Sequence, residues 1–245
     1  MPKTGPPIHP RKKDAREYEK ALRTYVMAPT VREIESIITR AGSTYEAIRM
    51  DIAAIPFDPR LEGLSEREAR LFMTRVKKYH TERFKRSMRA YFGTRVDTLG
   101  DPEIATLIQR GIDDNVALIK TIPQRMHEGV RTRFSQIAAD TPFDRQRVNQ
   151  VLLEEYKSTG YNLRRLTRDQ TNKQIGRLSE VRQTQMGITD YIWQDSGDRR
   201  VRPEHAANNG MQFQWASPPS TGHPGQEIQC RCVALPVIPE QPKIT

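Results

Sequence analysis

The residues best suited to chemistry lie near one end of the chain. His205, His223, Cys230 and Cys232 fall within 28 positions, and they include both cysteines and two of the five histidines. Positions i and i+2 of a strand share a face, so the Cys230-Arg231-Cys232 run can turn two thiols toward one ion. Zinc takes four N or S ligands in a tetrahedral shell, and these four side chains meet that number. The spacing between the pairs is irregular, and it also suits two small strand residues with histidines that hold loops by hydrogen bonds. A second chemistry is hydrolytic. Asp195, Asp198, Glu204, His205, Asn208 and Asn209 are the residue types of a metal-dependent His–Asn nuclease site, although short polar turns have the same composition. A Cys–His nucleophile is less well supported, because no signature surrounds either cysteine. Elsewhere there is no phosphate-cradling glycine loop, no HExxH and no paired CxxC.

Those residues need a scaffold, and the pattern around them predicts one. After Gly187 the periodicity changes from helical to alternating. Tyr191-Ile192-Trp193 reads as a short strand and Asp195-Ser196-Gly197-Asp198 as a turn. Arg202 to Asn208 reads as a short helix with Pro203 near its start. Asn209-Gly210 is a turn signal before an alternating Met211–Trp215 strand. Ile228 to Leu235 reads as a last strand that contains the two cysteines, and residues 240–245 as a frayed end.

Before this tail the chain reads as long charged helices. Capping boxes at Thr30/Glu33 and Ser65/Glu68 predict two helix starts, with Pro29 interrupting the chain before the first. A weak spot falls at Ala41-Gly42. The helix from Ser65 runs to about Tyr91 and stops at Gly93. Its apolar stripe is Leu71, Phe72, Val76, Tyr79, Phe84, Met88 and Tyr91. Its other side is basic, with Arg75, Lys77, Lys78, Lys85, Arg86 and Arg89 among its cations. Asp101-Pro102 starts a helix that Pro123 kinks or splits, its second half ending near Ala139. Thr141-Pro142 starts another that ends at Gly160. Asn162 caps a last one, polar and basic, with Arg164, Arg165 and Arg168 near its start. The expected organisation is a flexible, proline-rich basic arm (1–13), a helical region (14–186), a small α+β module (187–238) and a tail (239–245). The fold class is mainly α, an elongated helical N-terminal region followed by that module.

The bulk composition agrees with this. A hydrophobic fraction of 36% with 29% charged residues is lean for 245 residues, and the mean hydropathy is −0.73. It suits helices that complete their burial against partners. A net charge of +10 favours an anionic partner such as nucleic acid. The basic helical surfaces named above are the candidate nucleic-acid-binding residues, and a solvated charged face is the plainer alternative. No run approaches the ~18 apolar residues of a membrane span, and the first residues lack the apolar core of a secretory signal. Two cysteines one residue apart give no disulfide framework, which favours assembly in a reducing compartment.

The ordered blocks ITDYIWQDSGDRRVRPEHAANNGMQFQW, then PP, then GHPG, then CRC before an apolar strand, resemble the C-terminal module of the phage Mu F-like minor head proteins, in the wider phage head-morphogenesis family. The preceding RDQTNKQIGRLSEVRQTQMGI resembles the helix that leads into that module. The resemblance covers about residues 160–238. It implies a structural, non-enzymatic virion protein of a tailed phage, made in the host cytoplasm and acting in head assembly. The implied place is inside the capsid near the portal protein, with sibling copies, the major capsid protein and genomic DNA as further partners and with no membrane. Many relatives have Cys-Pro-x-Cys where this chain has Arg202-Pro203-Glu204-His205, and His-Pro-x-Cys-x-Cys near the end. Here His205 stands for the second cysteine, Arg202 for the first, and an insertion separates His223-Pro224 from Cys230. The resemblance therefore leaves His205, His223, Cys230 and Cys232 as the available version of a structural zinc site. A nucleic-acid-binding protein without a portal role, and a nuclease or toxin-like enzyme, are the rival readings.

Overall fold

A computed structural model describes residues 3–41, 44–92, 102–137 and 141–239. The chain is mainly α, with a small three-stranded antiparallel sheet near its C-terminal end. In order, the elements are α1 (Lys12–Leu22), a π-helical turn (Arg23–Met27), α2 (Ala28–Ala41), α3 (Tyr45–Ala53), α4 (Arg60–Phe92), α5 (Pro102–Ser135), α6 (Arg145–Gln185), β1 (Asp190–Gln194), α7 (Pro203–Ala207), β2 (Gln212–Gln214) and β3 (Val233–Pro236).

Several helices run through their expected punctuation. Pro29 does not break the chain. A π turn precedes it, and the Thr30 hydroxyl donates to the Val26 carbonyl at 2.9 Å instead of capping a new helix. Ser65 likewise donates back to Leu61 O at 2.6 Å. The cap lies earlier, where Asp58 Oδ1 accepts from Arg60 N at 2.9 Å, immediately beside Pro59. That is the Asp-Pro start signal read at 101–102, repeated. Helix α5 continues past Pro123. Ile119 and Ile122 before it and Met126, Val130 and Phe134 after it are all buried, so one apolar stripe outweighs the ~3 kcal/mol cost of an interior proline.

Gly160 ends nothing either: α6 runs unbroken for 41 residues. A Cβ at Gly160 would meet Arg23 Nη1 at 2.5 Å, and Arg23 Nη2 donates to Gly160 O at 2.7 Å. The glycine makes room for a guanidinium. The true start of α6 is capped by Asp144, whose Oδ1 accepts from Gln146 N at 2.8 Å. Helix α2 is described to Ala41, and Thr44 caps α3 by accepting from Ala47 N. Gly42, Gly93, Asp101, Ala139 and residues 240–245 lie outside the described residues.

The chain forms two compact units. One comprises Arg16–Arg70 and Ile112–Leu166. Its core joins Ile34, Ile37 and Ile38 of α2, Ile48 and Ile52 of α3, Val130 and Phe134 of α5, and Val148 and Val151 of α6. Tyr18 donates to Asn115 Oδ1 at 3.0 Å inside it. The other unit comprises Met1–Ala15, Leu71–Gly111 and Thr167–Thr245. The α+β module therefore folds as one body with the later parts of α4 and α6, and is not set off at residue 187.

In that unit β1 is the central strand, in the order β2-β1-β3. Tyr191 pairs with Phe213 and Pro236, and Trp193 with Ala234. Tyr191 and Trp193 point to one face and are fully buried with Trp215, Cys230, Cys232 and Ala234. Beside this lies a second cluster of Phe84, Met88, Ile188 and Ile238. Leu71, placed in the α4 stripe by its spacing, is exposed, whereas Met73 is buried. Residues 3–11, expected as a flexible arm, run beside the end of β3. Gly5 N donates to Pro236 O and Ile238 N to Lys3 O, both at 2.8 Å.

The polar composition of α6 has a structural reason. Asp169, Asn172, Gln174, Ser179, Arg182 and Gln183 are buried; the loops of the module dock on Asp169, Asn172 and Gln183, and His80 of α4 meets Ser179 and Arg182. Gln183 accepts from the Trp215 indole at 3.1 Å, and Asn172 donates to Cys230 O at 2.7 Å. A Cβ at Gly176 would meet Pro224 O at 2.8 Å. Irregular loops carry unpaired backbone groups, so the helix beneath them must offer polar partners.

Candidate metal centre

Helix α7 is a single short turn started by Pro203, and it puts His205 at the base of the module. The imidazole packs edge-on against Trp193 of β1, ring centres 5.3 Å apart. Asn208 ties the end of this helix to Thr221 at 2.9 Å. The cysteines come from the other side. They precede β3 instead of lying within it, a correction to the expected strand. The reason is local: Gln229 has a φ of +61°, which no extended strand allows, and its N–H donates to Asp169 Oδ1 of α6.

Both sulfurs nonetheless reach the same place. Cys230 Sγ lies 3.5 Å and Cys232 Sγ 3.6 Å from His205 Nδ1. The three residues are buried, and their ligand atoms lie within 4.8 Å of one another. The opposite ring nitrogen, Nε2, lies 2.9 Å from Glu227 Oε2. A carboxylate only accepts, so Nε2 carries a proton, and in the neutral ring Nδ1 then presents its lone pair to the sulfurs. Arg202 in turn donates to Glu227 Oε2 at 2.8 Å and to Ile228 O at 2.7 Å. Arg202 thus holds the carboxylate that orients the imidazole.

The surroundings of the sulfurs are rich in donors. Gly225 N–H donates to Cys230 Sγ at 3.3 Å, from a backbone with φ +84°. The buried Trp193 indole N–H has no hydrogen-bond partner of ordinary geometry, and it lies close enough to Cys232 to favour its thiolate. The Cys230 thiol is pulled down to about 6, first by the hydrogen bond from Cys232 and then by backbone N–H groups. Cys232 is pushed up by the same pairing and by burial. One thiolate forms readily and the second is resisted by the charge of the first, a pair that a bound cation would neutralise. Two thiolates and an imidazole form a soft donor set that fits zinc and does not fit magnesium or calcium.

His223 is not part of this group. Its Nδ1 lies 2.9 Å from the Tyr191 hydroxyl, its ring packs on Trp215, and burial pushes its pKa down. The structure thus brings together three of the four residues named from the sequence. Glu227 went unnoticed there, because an acid in an irregular loop gives no periodic signal. Of the residues of the nuclease reading, Glu204 and His205 lie on α7, and Asp195 N donates to Asn209 Oδ1 at 3.0 Å. Asp195 Oδ1 accepts from Gly197 N, Asp198 pairs with Arg231, and Glu204 is exposed.

Of the candidate nucleic-acid residues, Lys77, Lys78, Arg86 and Arg89 are exposed on α4, and Arg75 and Lys85 are half-buried. On α6, Arg164 lies 3.6 Å from Glu19, Arg165 stacks over Tyr161, and Arg168 donates to Gln229. Among the described residues no helix is long and apolar enough to cross a membrane.

A long polar helix carrying a small antiparallel sheet, with a His–Cys–Cys group beneath it, defines a helical protein with an α+β end module. The family described as Phage Mu protein F like protein matches residues 103–235, more than half of the chain, and the chain belongs to that family. An uncharacterized protein of Haemophilus influenzae (strain ATCC 51907 / DSM 11121 / KW20 / Rd) is 32% identical over 148 residues, which are 58% of this chain and 32% of that protein. The chain thus matches about a third of that relative's length. No solved structure matches.

Proposed function

We propose that this chain is a minor head protein of a tailed phage, a structural component that acts in head assembly. Its proposed place is inside the capsid at the portal, where it contacts packaged DNA without sequence preference. The observation that carries this reading is the family match across residues 103–235. The exposed cations of α4 support the DNA contact, because Lys77, Lys78, Arg86 and Arg89 face solvent on a chain of net charge +10. Contacts made by charge alone position a protein on phosphate and read no bases. Catalysis forms no part of this reading.

Two measurements test it. Heads assembled with the phage's own portal protein should contain the chain, and the portal alone should retain it in a pull-down; absence from both would refute the structural role. DNA affinity should fall steeply with salt. Replacing Lys77, Lys78, Arg86 and Arg89 with Gln should flatten the slope of log K against log salt by roughly 3 to 4, at about 0.9 per lost contact. An unchanged slope removes α4 from the DNA interface. Metal-dependent DNA cleavage that disappears in His205→Ala would replace the structural reading with an enzymatic one.

A further inference from the structure

We infer that His205 Nδ1, Cys230 Sγ and Cys232 Sγ bind one zinc-class transition-metal ion, with Glu227 as the outer carboxylate and His223 outside the site. This does not depend on the head-protein reading.

The distances carry the inference. A tetrahedral zinc with Zn–S near 2.3 Å and Zn–N near 2.05 Å separates sulfur from nitrogen by about 3.6 Å. The two observed separations are 3.5 and 3.6 Å. Hydrogen bonding alone accounts poorly for that symmetry. Nδ1 has one lone pair, so it accepts from one thiol, yet both sulfurs approach it equally. A single ion between the three atoms satisfies all of them.

The outer groups point the same way. Metal-bound histidines ordinarily donate their second N–H to a carboxylate, which fixes the tautomer and the ring. His205 does so to Glu227, and Arg202 braces Glu227 in turn. The N–H of Gly225 donates to Cys230 Sγ, and the orphaned indole N–H lies beside Cys232; both are donors that suit thiolates better than thiols. Three protein donors are thus present among the described residues. Such an ion would tie α7 to the loop before β3, two pieces otherwise joined by side-chain contacts.

The test uses the full chain and cobalt(II) as the probe. The expected result is one cobalt per chain, with thiolate-to-cobalt charge-transfer absorption and the intense visible bands of a tetrahedral ion, both displaced by zinc. Cys230→Ser and Cys232→Ser should each remove about half of the charge-transfer intensity. Glu227→Gln should keep the spectrum and weaken affinity about 10–100-fold. His223→Gln should leave spectrum and stoichiometry unchanged. No charge-transfer band in the wild-type chain overturns the site, and loss of the ion in His223→Gln overturns the three-donor assignment. X-ray absorption of the zinc-loaded wild type needs no variant: a first shell with fewer than two sulfurs overturns the inference even if the cysteine variants do not fold.

Discussion

Lowering the pH below neutrality should destabilise the unit that contains the sheet, and His80 should set a defined part of that slope. His80 is fully buried on α4. Its Nδ1 lies 2.7 Å from Arg182 Nη1 and its Nε2 3.0 Å from Ser179 Oγ. A guanidinium only donates, so Nδ1 must be bare. Nε2–H then donates to Ser179, whose own proton goes to Ile175 O at 2.9 Å. A second proton on this ring would be desolvated and would face Arg182. Burial first, and the guanidinium second, hold its pKa well below the usual value. The folded pKa is therefore depressed. The stabilisation is complete above the unfolded pKa, near 6.5, and is lost as pH falls from there toward the folded value. Within that window each pH unit costs about 1.4 kcal/mol. With a urea m-value of about 1.5–3 kcal/mol/M, the midpoint should drop by roughly 0.5–1 M per unit. Trp193 and Trp215 both belong to the His80 unit, so tryptophan fluorescence reports its unfolding directly. His223 lies in the same unit and adds to the slope, because burial also lowers its pKa. His80→Gln keeps an acceptor for Arg182 and a donor for Ser179 but cannot titrate. Its stability should fall less steeply, by about 1.4 kcal/mol less per unit. Parallel wild-type and variant slopes would refute the buried-neutral assignment.

Two further substitutions probe packing. Gly176→Ala would gain up to about 1 kcal/mol in an open helix, but its Cβ meets the Pro224 carbonyl at 2.8 Å; it should instead destabilise the sheet unit by about 1–3 kcal/mol. Gly63→Ala, with nothing within 4 Å, is the control and should stabilise. Phe134→Ala empties a site that is 2% exposed in the other unit and should cost about 3–5 kcal/mol. Loss of helical circular dichroism, not tryptophan fluorescence, should reveal it.

Much of the architecture is legible in the sequence, for identifiable reasons. The 3.6-residue period of α2 and α5, the switch to alternation after Gly187 and the turn at Asn209-Gly210 are local signals, and local signals survive folding. The failures occurred where tertiary contact overrides them. Pro123 reads as a kink or split and Gly160 as a stop because the sequence does not display the stripe that buries one or the guanidinium that occupies the other. Ser65 imitates a cap that Asp58 supplies. At the candidate metal site, Cys230, Cys232 and His205 were found by residue type. His223 was grouped with them by proximity in sequence, whereas the fold turns it toward Tyr191. Glu227 and Arg202 could be recognised only once a 25-residue loop had closed on itself.

The division of the chain into units also sets an order of events during synthesis. The segments of the all-helical unit are complete at Leu166, so they are made while the remainder is still in the ribosome. The other unit is assembled from three separated segments, and its edge is completed when Val237 and Ile238 meet Lys3 and Thr4. Its earliest residues must wait for some of the last. Until then Phe84, Met88 and Ile188 lack Ile238, a member of their apolar cluster. A nascent chain that stalls before residue 238 therefore leaves part of that cluster uncovered, a surface suited to chaperone capture.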